Sequence, residues 1–188
     1  MKRVVFVAVV FVAVIAWILV DGDPISVGKT SLGADVYGHV LMKGEWSSIG
    51  GEVGSPSITY FNDTNASIIE LGVFPFPQKE NSSPNEQGSD DPIGSSIKTR
   101  GDLTEYVEKY LGALGKGTEL RTAKDEFAGY EANLITGSYI DQMFSGKKFL
   151  VYAWVFTDEE GKNHYLILES NEEDAPSELK QFKSSFHL

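Results

Sequence analysis

The 188-residue sequence contains no cysteine, which excludes a disulfide framework, a thiolate nucleophile, a cysteine-ligated metal and a lipidated cysteine. Histidine is almost as scarce. His39, His164 and His187 are the three present, and none is paired with another histidine or an acid in a metal-type motif. No G-x-S-x-G occurs, so the sequence offers no nucleophile elbow. Gly28-Lys29-Thr30 looks like the end of a phosphate-binding loop, but Gly22 stands one residue too far upstream and Asp23 occupies the place of the required glycine. No cofactor and no metal are therefore expected. Positive charge is also in deficit: 16 Lys+Arg face 27 Asp+Glu, a formal net charge of -11. Nucleic acid and anionic lipid surfaces would repel such a chain.

One long apolar run is present. Val4 to Val20 carries no polar side chain, is preceded by Lys2 and Arg3, and is followed by Asp21, Gly22, Asp23 and Pro24. A bilayer-spanning helix needs roughly 17–25 apolar residues, whereas the apolar part of a cleaved signal needs about 7–15. Residues 1–20 are therefore read as a signal anchor, with the basic end cytoplasmic and the rest of the chain outside. Val14-Ile15-Ala16 keeps a second reading open, in which a signal is cleaved and the domain is secreted. Residues 21–35 are expected to be a tether and 36–188 a single globular domain.

Within that domain, Val36 to Met42 reads as a first strand ended at Trp46, and Ser57–Phe61 with Ser67–Phe76 as a hairpin around Asn62-Asp63-Thr64-Asn65. Residues 77–98 are poor in apolar side chains and predict a mobile polar loop. Asn62, Asn65 and Asn81 each begin an N-x-[ST] sequon and are candidate glycosylation sites. Asp102 to Leu114 repeats apolar residues at helical spacing, with an Asp102–Glu105 capping pattern and Gly115 as its stop. Glu119–Glu126, Tyr130–Ile140, Lys147–Thr157 and Asn163–Glu169 read as four further strands. A last helix begins after Glu172-Glu173-Asp174 with Pro176 in its first turn. The fold class is α+β: a central antiparallel sheet with helices packed on it, preceded by one transmembrane helix.

Tyr37-Gly38-His39-Val40 leading to Trp46, Leu103 to Leu114, Gly129-Tyr130-Glu131-Ala132, Tyr165-Leu166-Ile167-Leu168 and Phe182-Lys183-Ser184-Ser185-Phe186 occur in an order that resembles the PsbP family. The resemblance spans roughly Val36 to Leu188. It implies an αβα sandwich and an accessory or scaffold role in a larger assembly.

Catalysis needs a nucleophile beside a base, paired acids or convergent metal ligands, and the sequence shows no such pattern. His39 and His164 fall in strands and read as structural. The expected function is that of a non-catalytic, membrane-tethered extracytoplasmic domain that binds a protein partner. A carrier of a small ligand or polymer is the alternative, using Tyr152, Trp154 and Phe156, which alternate onto one face of their strand, together with Trp46. The same alternation also fits a central strand covered on both sides. A hydrolase with an unrecognised site is a third reading.

Overall fold

The structure, a computed structural model, describes residues 29–50, 57–74, 97–116, 118–141 and 146–188. The expected membrane segment lies outside these residues, as do 77–96 of the polar loop and the Asn81 sequon. Among the described residues no helix is long and apolar enough to cross a membrane.

Among the described residues, nine strands and two helices follow one another as β1 (Lys29–Ala34), β2 (Gly38–Lys43), β3 (Trp46–Gly50), β4 (Ser57–Asn62), β5 (Ile68–Phe74), α1 (Arg100–Ala113), β6 (Thr118–Phe127), β7 (Tyr130–Asp141), β8 (Lys147–Thr157), β9 (Asn163–Asn171) and α2 (Ala175–Ser185). Seven of the strands form one sheet in the order β3-β4-β5-β9-β8-β7-β6, antiparallel throughout. β1 and β2 pair separately as a two-stranded ribbon. The expected α+β class, an antiparallel sheet with helices on it, is what is observed.

Each face of the sheet has its own core. On one side Leu103, Val107 and Leu111 of α1 pack on Ile135, Val151, Ala153, Val155 and Ile167. On the other, Phe182 and Phe186 from α2 and its C-terminal end join Leu32, Val40 and Met42 of the ribbon over Ile69, Leu71, Trp154, Phe156, Leu166 and Leu168. A fully buried side chain of this size contributes about 1.5–3 kcal/mol, so both helices are held by burial more than by propensity.

Four details differ from the sequence reading. The tether expected over 21–35 ends before Lys29, because β1 pairs along β2 and buries Leu32. Leu32 and Ala34 in an otherwise polar or glycine hexapeptide carry too short a periodic signal, so only the tertiary pairing reveals this strand. Trp46 opens β3 instead of closing the first strand, and its indole N–H donates to the Lys43 carbonyl at 2.9 Å across the intervening turn. The α1 cap is Thr99, whose hydroxyl accepts from the Asp102 N–H while the Asp102 carboxylate accepts from the Thr99 N–H. The capping box thus begins three residues before the expected one. Finally, β9 continues to Asn171, through the polar residues Ser170 and Asn171. α1 stops where predicted: Gly115 takes φ 66, the Lys116 N–H reaches the Leu111 carbonyl and the Gly115 N–H reaches that of Gly112.

Candidate functional site

α2 crosses only part of its face of the sheet. Phe182 stacks on Trp154 with ring centroids 5.6 Å apart, and Lys183 places its ammonium 5.8 Å from the centroid of that indole while bonding Asp125 at 2.9 Å. The Trp154 indole N–H donates to the same Asp125 carboxylate at 2.9 Å. Further along β7 and β8 on this face come the cross-strand pairs Thr136–Tyr152, Ser138–Leu150 and Ile140–Lys148. Directly paired residues share a face, so these six side chains project on the α2 side beyond the helix. The described residues leave Ile140 66% exposed, and Leu150 and Tyr152 half-buried.

A shallow depression of about 280 Å³ lies here, lined by Thr136, Ser138, Leu150 and Tyr152 together with Glu119 and Arg121 of β6. A β-bulge shapes its edge. One extra residue sits in β6 between Thr118 and Arg121, and Glu119 adopts φ 65, uncommon for a side chain other than glycine. On the opposite side, Lys148 bonds Glu172 at 2.8 Å. The result is an apolar and hydroxyl-bearing centre with an aromatic anchor, rimmed by charges of both signs. Protein interfaces have this anatomy. The Tyr152 hydroxyl is held above its ordinary pKa by burial and stays neutral at physiological pH.

The three aromatic residues singled out by alternation, and Trp46 with them, do not form one platform. Trp154 and Phe156 are 1% and 0% exposed and belong to the core beneath α2 and Phe186. Of the three β8 aromatics only Tyr152 reaches the open part of the face, and Trp46 lies half-buried across the sheet on β3. Burial has taken away two of the residues a ligand-stacking surface would use. Thr136, Ser138, Ile140 and Leu150 were not singled out, although a strand bearing small hydroxyls opposite an aromatic strand is a signal of incomplete cover. Glu119 and Arg121 carried no signal, because the bulge follows from pairing.

The sequons in the β4–β5 turn are committed to the fold. Asn62 is 4% exposed and its side-chain oxygen accepts the Thr64 N–H. The Asn65 amide donates to both Asp174, at 3.2 Å, and Glu178, at 2.8 Å. A glycan replaces one of those two amide hydrogens, so a glycosylated Asn65 could not keep both bonds. The Asn65 end of this turn is docked on the start of α2, where Ser67 also donates to Glu178 at 2.8 Å.

Buried polar residues also lie under α1 and at the β8–β9 turn. Under α1, Glu70 accepts from Tyr165 at 2.7 Å and Tyr110 at 3.0 Å, while Glu169 accepts from Tyr139 at 2.8 Å and pairs with Lys116 at 2.7 Å. Burial first, and the neighbouring carboxylates second, hold all three phenols well above their ordinary pKa. They act as fixed neutral donors. The close approach depends on Gly72: a β-carbon there would lie 2.1 Å from the Tyr165 ring. At the β8–β9 turn, His164 is buried, stacks on Phe156 and bonds Asp158 at 2.9 Å, leaving its Nδ1 without a protein partner. His164 lies in a strand as expected, and only one of its nitrogens is satisfied. Among the described residues no group of three or more His, Asp or Glu side chains is arranged to hold a metal ion.

No protein-family model matches the chain, and no curated protein matches it either. Solved structures do. Cyanobacterial PsbP (CyanoP) from Synechocystis is similar at 15% identity and a TM-score of 0.49, over 89% of this chain and 95% of that one. The Saccharomyces cerevisiae Ran-binding protein Mog1p is similar at 9% identity and a TM-score of 0.46, over 85% of this chain and 94% of that one. The layout resembles those of PsbP and Mog1. A Bacteroides thetaiotaomicron protein matches at 9% identity and a TM-score of 0.48 over 85% of this chain, which spans about half (48%) of that longer chain.

Proposed function

We propose that this is a non-catalytic, membrane-tethered extracytoplasmic domain that serves as an accessory subunit, binding a protein partner through the open part of the α2-side sheet face. The observation that carries the reading is the depression centred on Tyr152 and Leu150, with Ile140 66% exposed beside it and Glu119, Arg121, Lys148 and Glu172 around it. An exposed isoleucine next to a half-buried tyrosine in a concave, charge-rimmed setting is the composition of an interface centre. The tether is the apolar run Val4 to Val20 with its basic flank, which supports an N-in orientation. With a chain charge of -11, a partner surface of positive potential would be drawn in fastest.

The test is to place a photo-reactive residue at position 140 of the full-length chain in intact cells, irradiate, and identify attached chains by mass spectrometry. One reproducible partner, captured from position 140 but not from position 105 on the far side of α1, is expected. Equal capture from both positions, or none from 140 despite efficient incorporation, would overturn the reading.

A further inference from the structure

We propose that Glu119 determines the specificity of the open sheet face, selecting a protein partner that presents a lysine or arginine beside an apolar side chain. This rests on the partner-binding reading of that face. Glu119 is set apart by its backbone. Among the described residues, Ala66, Glu119 and Ala128 are the non-glycine residues at positive φ, and every other such position is a glycine. Ala66 and Ala128 lie in the turns joining β4 to β5 and β6 to β7, and a methyl group is the smallest side chain that can be strained there. Glu119, at φ 65, instead carries a long side chain at the β6 bulge, in a conformation that bulges commonly give to glycine.

The fold does not compensate this strain. The Glu119 side chain is 80% exposed, and its ion-pair neighbour Arg121 is 79% exposed and 3.5 Å away. So open a pair at that distance adds little to stability. Nor does the bulge need a carboxylate: it sets two residues against one of β7, so that Leu120 packs on the α1-side core while Glu119 and Arg121 line the depression. Glycine would serve the backbone better. A strained side chain that the packing does not require points to a use outside the fold, and bulges beside binding sites re-aim such side chains.

The surroundings of Glu119 define that use. A carboxylate accepts hydrogen bonds and donates none. When a partner covers Tyr152 and Leu150, the rim loses water, and a carboxylate that loses water must gain a donor, of which a cation is the strongest. Arg121 is too distant and too solvated to serve alone, so the donor comes from the partner. The formal charge of -11 draws a basic group toward this surface before contact is made.

Glu119→Gln and Glu119→Gly should each be made in the full-length chain carrying the photo-reactive residue at position 140. Partner capture in intact cells is then compared, at matched expression, with the melting of each purified chain in detergent. Glu119→Gln keeps the β-carbon and removes the charge, so capture should fall about tenfold or more with melting unchanged. Glu119→Gly removes the strain as well. Its capture should fall as far while its melting point rises by about 2 °C, because relief of the left-handed conformation outweighs the freedom glycine adds to the unfolded chain. Undiminished capture by Glu119→Gln would overturn the proposal and leave the partner-binding reading standing. A melting point that Glu119→Gly fails to raise would remove the strain on which the proposal stands and overturn it equally. No capture from position 140 by the chain with Glu119 intact would overturn both.

Discussion

The two faces of the seven-stranded sheet solve the problem of cover differently. Under α1 the sheet carries two buried carboxylates, Glu70 and Glu169, yet both are satisfied: one by two phenols, the other by a phenol and a lysine. On the α2 side the covered part is a tight aromatic core around Trp154, whereas the part beyond the helix keeps an exposed isoleucine and a half-buried tyrosine. The buried carboxylates are thus internally answered under α1, and apolar groups are left exposed beyond α2. The proposed recognition surface lies on the open rows of β7 and β8.

The largest expected effect comes from breaking the closed part of the α2 side. Trp154→Ala removes a side chain packed against Phe127, Phe182 and Tyr152 together with its bond to Asp125, and should cost about 3–5 kcal/mol in denaturant unfolding. A cost below about 1 kcal/mol would mean that the α2 contact is not formed. On the α1 side, Tyr165→Phe keeps the ring in its place over Gly72 but removes one donor from Glu70. A loss of about 1–3 kcal/mol is expected, because a buried carboxylate is left under-satisfied. Combining it with Tyr110→Phe and Glu70→Leu should recover most of that loss, since removing every partner is less costly than removing one.

How much of this was legible in the sequence varies with the source of the signal. α1, β8 and α2 follow from periodicity that local sequence carries: the Leu103, Val107 and Leu111 stripe, the unbroken apolar alternation from Phe149 to Phe156, and acids before Pro176. β1 was not legible because its pairing with β2, not its composition, buries Leu32. Nor could alternation tell which end of β8 lies under a helix; it treated Tyr152, Trp154 and Phe156 alike, and the crossing position of α2 separates them. Asn65 read as an exposed turn residue because its partners, Asp174 and Glu178, lie more than a hundred positions away.

A pH titration sharpens the comparison at the end of the α2-side core. Burial lowers the pKa of His164, outweighing the opposing bond from Asp158. Above about pH 6.5 the imidazole is neutral in both folded and unfolded chains, and below it the unfolded chain takes up the proton first, so stability should fall. Asp158 adds to the loss at lower pH. Burial alone would raise its pKa, but the His164 bond and the N–H groups of Lys162 and Glu160 outweigh that and lower it, so the stability it contributes disappears as acid protonates it. His164→Gln should flatten the stability profile just below about pH 6.5, and an unchanged slope there would place the effect elsewhere.

The smallest effect on stability and the largest on recognition are expected at one position. Ile140 is exposed in the folded chain, so Ile140→Glu should shift unfolding by no more than about 0.5 kcal/mol. Comparing the amount of partner that co-purifies with full-length wild type and with Ile140→Glu, at matched expression and matched melting, tests the central claim most directly. Loss of the partner from the variant with an unchanged melting curve is the predicted result. Equal recovery of the same partner would contradict the account, because the open rows of β7 and β8 would then play no part in binding.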